Sequence, residues 1–175
     1  METPIATTAK RAICDRCQRP LRACYCSALP PTPLCTRRTR VVVVQHANEQ
    51  HQRQAISSVP VLAQVLTSPT SVHVVSVSLD GSDATDVLCR TLHEQLDPVV
   101  LDDAVEAVFV LFPHEDAQTF TASHCGERTQ PSDQLDNTEN HKTVVLVVVD
   151  GTWNEAKKIV HHSRQYWESS RMVLC

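Results

Sequence analysis

Residues 143–162 read TVVLVVVDGTWNEAKKIVHH. The first seven form an unbroken, mostly β-branched apolar run, the pattern of a strand covered on both faces, as in a parallel sheet. Asp150 closes the run, and Gly151 permits a tight turn. Thr152 and Glu155 have the spacing of a Thr-x-x-Glu capping box, so Trp153–His162 is predicted to be a helix. A strand leading straight into a capped helix is half of a βαβ unit. Such a helix would aim free backbone N–H groups and its positive end into the crevice beyond the strand, a seat for a carboxylate or phosphate. A well-capped turn with no ligand has the same sequence.

Three further runs resemble the first: residues 40–44 (RVVVV), 71–78 (SVHVVSVS) and 107–112 (AVFVLF). Helical patterns lie between them. Residues 50–66 form one, with Pro60 kinking it or marking a second start. Residues 83–96 place Ala84, Val87, Leu88, Leu92 and Leu96 along one face, and 115–120 suit a short helix. Residues 126–142 are polar and read as a loop. The alternation predicts an α/β fold, a mostly parallel sheet with flanking helices and right-handed crossovers. No internal repeat is present. A fifth strand starts in residues 171–175 (RMVLC), short of the usual five or six residues, so the chain is expected to be truncated at its C-terminal end, with a short natural edge strand as the alternative.

The 175 residues suit one α/β body with a small appendage. Only 4% are aromatic against 42% hydrophobic, so aliphatic side chains must fill the core. No stretch approaches the roughly 18 apolar residues that a membrane span needs. Residues 1–10 have no apolar signal region, and the expected location is cytoplasmic or nuclear, not secreted. Charge is unevenly spread. Residues 1–40 carry eight Lys/Arg against Glu2 and Asp15, a net of +6, whereas 41–175 carry eight basic and eighteen acidic residues, a net of −10. A polyanion would be drawn to the front, which is a solvated arm or a nucleic-acid contact. We therefore divide the chain into a basic, Cys-rich module (1–40) and an α/β domain (41–175).

Cys14, Cys17, Cys24 and Cys26 lie within 13 residues. Four thiols at this spacing can close a tetrahedral zinc site, structural because no ligand position stays open. Two disulfides or free thiols are the alternatives, the former suited to an oxidising compartment. Cys35 is a spare ligand, Cys89 falls on the core face of its helix, and Cys125 and Cys175 are uncommitted. His161 and His162, at a helix end, read as dipole partners.

In open α/β sheets ligands bind beyond the carboxyl ends of the strands. Those ends carry Gln45-His46-Ala47-Asn48-Glu49, Leu79-Asp80-Gly81, Pro113-His114-Glu115 and Asp150-Gly151-Thr152-Trp153. The last of these resembles the Asp-x-Thr-Trp signature of the DTW-domain family. The segment His46-Ala47-Asn48-Glu49-Gln50-His51-Gln52-Arg53 is similar to that family's His-Pro-x-Glu block followed by Arg, with Ala47 in place of Pro. Val110-Leu111-Phe112-Pro113 is similar to its Leu-x-Tyr/Phe-Pro block, and the four cysteines match a cluster many members carry.

The resemblance spans most of residues 13–163. It implies a fold related to the SPOUT methyltransferases, continuing past residue 175. It also implies transfer of the 3-amino-3-carboxypropyl group of S-adenosylmethionine to N3 of uridine in tRNA, while structural zinc is expected from the cysteine spacing. On that reading Asp150 is the candidate base or uridine-edge acceptor, a role for which a carboxylate is suited. Phe112, Pro113, Thr152 and Trp153 are candidate cofactor residues, and His46, Glu49 and Arg53 candidate substrate residues. Four of them have a plainer alternative: a turn residue for Asp150, a helix cap for Glu49, a surface ion pair for Arg53, a core side chain for Trp153. Two other functions stay open, a non-enzymatic zinc module that binds RNA or protein, and a methyltransferase of the same broad fold.

Overall fold

The computed structural model describes residues 12–36, 38–51, 57–66, 72–115, 117–119, 143–169 and 172–175. Five strands form one parallel sheet: β1 (Thr39–His46), β2 (Val72–Val77), β3 (Val105–Leu111), β4 (Thr143–Asp150) and β5 (Val173–Leu174), in the order β2-β1-β4-β3-β5. The helices are α1 (Ala47–His51), α2 (Val59–Val65), α3 (Ala84–Val100), α4 (Trp153–His162) and α5 (Arg164–Ser169).

Alternation along the strands sends Val42, Val44, Val145, Val147, Val108 and Val110 to one face, where they meet Leu88, Leu92 and Leu96 of α3, Ile159 of α4, and Tyr166 and Trp167 of α5. Val43 and Val148 point the other way, towards α2. The second face is covered less fully, and Val74 on β2 is 38% exposed. The prediction of strands covered on both faces therefore holds for β1 and β4 and weakens at the β2 edge. Burial at Ala84, Leu88, Leu92, Leu96 and Val100 follows the four-residue helical step.

Several boundaries differ from expectation, each for a local reason. β1 runs on through Gln45 and His46 because the parallel ladder continues opposite Ser76, Val77 and Asp150. β1 also starts at Thr39, two residues ahead of the domain boundary drawn from composition. The helix expected over 50–66 is represented by two, α1 and α2, with Pro60 in the first turn of α2, where its missing N–H costs nothing. Residues 52–56 lie outside the described residues. α3 passes Leu96 and includes Pro98, its last turn held by buried Val100 and by Asp97, which accepts hydrogen bonds from Tyr166 and from the Leu101 backbone N–H. The short helix expected at 115–120 is not formed in the described residues. His114 and Ala117 close a turn, and Gln118 donates to the Leu174 carbonyl instead. The loop expected at 126–142 lies outside the described residues. Val173 and Leu174 do start a strand, pairing with Phe109 and Val110 at the sheet edge.

Arg40 at the front of β1 donates to Asp102 at 2.9 Å, and Arg38 reaches Glu106 at 3.8 Å. The Ala104 backbone N–H and Arg40 together hold the Asp102 carboxyl below its ordinary value. Two of the basic residues counted towards a polyanion site are thus engaged by the body's own acids.

Leu92 has no exposed surface, so Leu92→Ala should destabilise the protein by about 2–5 kcal/mol. Val74→Ala should cost about 0.5 kcal/mol or less. Urea midpoints at constant slope check both, and comparable losses would contradict the assignment of the core to the α3–α4–α5 face.

Candidate active site and metal centre

The connections out of β1 and β4 leave in opposite directions, β1 towards β2 and β4 towards β5, so the crevice beyond these two strands is the switch point of the sheet. Register sets Gln45 opposite Asp150 there. The Gln45 Nε2 donates to Asp150 Oδ2 at 2.8 Å, and the Ser57 hydroxyl lies 3.5 Å from the same oxygen. Gln45 and Ser57 are buried, so the carboxylate is oriented by groups that are themselves fixed.

One step on, the capping box forms as the spacing predicts. The Thr152 N–H donates to Glu155 Oε2 at 2.8 Å, and the Glu155 N–H to Thr152 Oγ1 at 3.4 Å. Glu155 also accepts from Asn48 Nδ2 at 3.1 Å and lies 3.5 Å from His46 Nδ1. The seat for an anion expected at this helix end is therefore taken up, in large part, by the chain's own Glu155. Gly151 is needed for the close approach, since a Cβ there would lie 3.2 Å from Glu155 Cβ and 3.5 Å from His46 Cβ. His46 is buried, and its Nδ1 accepts from the Asn48 N–H at 3.2 Å.

Two cavities flank this turn. The larger, about 950 Å³, lies beyond β3 and along α4 and α5, with Phe112, Pro113 and Trp153 in its wall. Phe112 and Trp153 are stacked, centroids 5.5 Å apart and planes at 16°. Lys157 lies over the indole at 5.4 Å. Trp153 is 55% exposed, so it does not fill the core, contrary to the plainer expectation for the first apolar residue of a helix. Trp167 also lines this cavity, and its Nε1 is a buried donor with no partner among the described residues. The smaller cavity, about 330 Å³, lies between α2 and the other face of the sheet, with apolar walls and Asp150 at one end.

The structure thus gathers His46, Asp150 and Thr152 at the switch point, and Phe112, Pro113 and Trp153 around the larger cavity. Neither Asp150 nor Thr152 lines that larger cavity. Glu49 is buried on α1, and Arg53 lies outside the described residues. Gln45, Ser57 and Asn48 were not among the predicted site residues. Register opposite Asp150 could have pointed to Gln45, whereas nothing in the sequence marks Ser57.

The sulfurs of Cys14, Cys17, Cys24 and Cys26 all lie within 4.8 Å of one another. Cys14–Cys26 and Cys17–Cys24 are 3.8 and 3.7 Å apart. Tetrahedral zinc with bonds of about 2.3 Å would hold its sulfurs about 3.8 Å apart, whereas a disulfide brings them to about 2 Å. The donor set and its spacing therefore fit a metal ion. The backbone N–H groups of Cys17 and Arg16 hold the Cys14 thiol down to about 6, while burial and the neighbouring sulfurs push Cys26 up to about 12. Cys35 is exposed, and burial pushes the Cys89 and Cys175 thiols up. Cys125 lies outside the described residues. His162 shares a hydrogen bond with Thr85 at 2.7 Å.

The family model described as "DTW domain" matches residues 11–175. The chain belongs to the DTW-domain family. It is similar to "tRNA-uridine aminocarboxypropyltransferase 2" of Macaca fascicularis, 26% identical over 99% of this chain and 49% of that protein. It is also similar to the mouse (Mus musculus) protein of the same name, 27% identical over 90% of this chain and 44% of that protein. The chain spans about half the length of these curated relatives. No solved structure gives a significant match. No helix among the described residues is long and apolar enough to cross a membrane.

For this DTW-domain chain the four-thiol cluster should take up one divalent metal ion. Cys24→Ser should lose most of it, and acid should release it from the unaltered chain, because the ligands must be thiolates. Metal analysis after dialysis at several pH values checks this, and equal retention by the variant would remove Cys24 from the ligand set.

Proposed function

We propose that the protein transfers the 3-amino-3-carboxypropyl group of S-adenosylmethionine to N3 of uridine in tRNA, with zinc held structurally by Cys14, Cys17, Cys24 and Cys26. The observation that carries this reading is the Asp150 carboxylate, oriented by Gln45 and Ser57 at the switch point of a DTW-domain sheet. We take the fold to be SPOUT-like on the same resemblance. The named activity of the curated relatives supports the substrate class.

S-adenosylmethionine supplies an activated sulfonium–carbon bond, so the protein's work is placement and proton removal. The larger cavity fits such a co-substrate. Its volume is that of a small-molecule site, and the buried Trp167 Nε1 is a donor left over for a ligand acceptor. Phe112, Pro113 and Trp153 would hold the adenosine end, the indole offering a stacking face. Thr152, between Trp153 and the carboxylate, orders the turn through Glu155. Asp150 accepts the N3 proton as nitrogen bonds the transferred carbon and the carbon–sulfur bond breaks, releasing methylthioadenosine. Three Cα–Cα steps separate Asp150 from Trp153, at most about 11 Å. His46, Glu49 and Arg53 belong to the same reading as substrate contacts. The front module (1–40) grips the RNA through cations the body leaves open. Arg16 and Arg22 are exposed there, whereas Arg19, Arg38 and Arg40 bind the protein itself.

Incubating the chain with S-adenosylmethionine and unmodified tRNA, then analysing nucleosides by mass spectrometry, tests the reaction. The expected product is aminocarboxypropyl-uridine, reduced about 10²–10⁴-fold by Asp150→Asn with the fold intact. Methylated uridine would move the protein to the methyltransferases. RNA binding without any transfer would leave the zinc-module reading.

RNA affinity should fall steeply with salt. Replacing Arg16 and Arg22 together by Glu should flatten the log–log slope by about one to two units, at about 0.7–0.9 per phosphate contact. An unchanged slope in filter binding would move the RNA site off the module.

A further inference from the structure

The four-cysteine loop reaches the candidate active site through defined hydrogen bonds. Arg19 sits two residues after Cys17, on a loop closed by Cys14 N–H to the Arg19 carbonyl and Gln18 N–H to the Cys14 carbonyl, both 2.8 Å. Gln18 has φ 57°, a left-handed turn that a non-glycine residue keeps only where its surroundings demand it. From this loop the Arg19 guanidinium donates to the backbone carbonyl of Ser57 at 3.1 Å. It also lies 4.8 Å over the ring of Tyr25, which stands between Cys24 and Cys26. The Tyr25 hydroxyl accepts from Gln64 of α2 at 3.1 Å, and Leu34 N–H donates to Val65 at the end of α2 at 2.7 Å.

Ser57 is where this grip meets the site. Its backbone is held by Arg19, while its hydroxyl lies 3.5 Å from Asp150 Oδ2 and 3.4 Å from Gln45 Nε2. The same oxygen accepts the first free N–H of α2, from Val59, at 3.2 Å. Ser57 is 6% exposed and Gln45 4%, so a shift of the Ser57 backbone cannot be absorbed by solvent.

We infer that Arg19 is a positioning residue: the metal-shaped loop holds Arg19, Arg19 holds Ser57, and Ser57 with Gln45 sets the Asp150 carboxylate. Metal at the Cys cluster then acts on the site 38 residues away along the chain from Arg19 to Ser57. Four metal–sulfur bonds fix the Cys14–Arg19 loop far more firmly than the S–H···S contacts of the free thiols do. The cluster is thereby an orienting element of the site as well as a staple of the module. Only the activity arm of the test rests on the function proposed above.

The experiment uses the whole chain loaded with zinc, with Arg19→Ala, Arg19→Lys and, as a control on the same module, Leu21→Ala, whose side chain is 59% exposed. Three quantities are read: zinc content, the ¹⁵N-detected side-chain amide of Gln45 with the backbone amides of Ser57 and Asp150, and kcat and KM. Arg19→Ala should retain zinc, shift the Gln45 and Asp150 resonances, and lower kcat about tenfold, the order that loss of an orienting partner costs, with little change in KM for the donor. Arg19→Lys should restore part of both, and Leu21→Ala should leave both unchanged. Chelating zinc should move the Gln45 resonance of the unaltered chain towards that of Arg19→Ala, and should move it little further in that variant. If Arg19→Ala keeps its zinc and leaves Gln45 and Asp150 where they are, the inference is overturned. A chain with no transferase activity but with the resonance shifts would overturn the function and keep the coupling.

Discussion

Across the parallel ladder of β1 and β4, Val44 faces Val149, and one residue further Gln45 faces Asp150. Up to that point the two central strands are held by backbone hydrogen bonds and aliphatic burial on both sides. At that point the apolar run ends and a polar pair begins, still in register. Everything at the candidate site follows from this placement. The amide of Gln45 can reach the carboxylate because the ladder leaves it no other side to point to. β1 and β4 then send their chains in opposite directions, which opens the crevice above them. The capped start of α4 and the short α1 form its rim, tied together through Glu155 to Asn48 and His46.

The two ends of the molecule use different sources of stability. The body buries Leu88, Leu92, Leu96, Ile159, Tyr166 and Trp167 against a valine sheet, a hydrophobic core of the usual kind. The front module has little of this: Cys17 is its one buried hydrophobic residue among those described, and Ile13, Leu21 and Leu34 are exposed. A loop so poor in core needs a metal or a partner surface to hold one shape. Here both are available, the four thiols within 4.8 Å of one another and the contacts of Arg19, Tyr25 and Leu34 with α2 and Ser57. The module is therefore joined to the body at the segment that supports the site carboxylate.

Much of this was legible in the residues. Unbroken valine runs announced buried parallel strands, the Thr152–Glu155 spacing announced the capped helix, and the cysteine spacing announced a four-sulfur cluster. Each of these is local: a strand's burial, a cap or a loop's ligands depend on residues within about a dozen positions of one another. Helix and strand ends were less legible, because Gln45, His46 and Pro98 have propensities that tertiary packing overrides.

Sequence by itself determined the parallel α/β class, the Asp150–Trp153 turn and the thiol cluster, since short-range periodicity and spacing encode all three. Tertiary structure alone decided which face Asp150 takes, that it stands apart from the cavity of Phe112 and Trp153, and that Trp153 lies exposed on a stacked Phe112. It alone brought Arg19 and Ser57 together and set Ser57 beside a carboxylate 93 residues later. The reason is strand order: β4 enters the sheet between β1 and β3, and contacts made by inserting a strand between earlier ones leave no periodic trace along the chain.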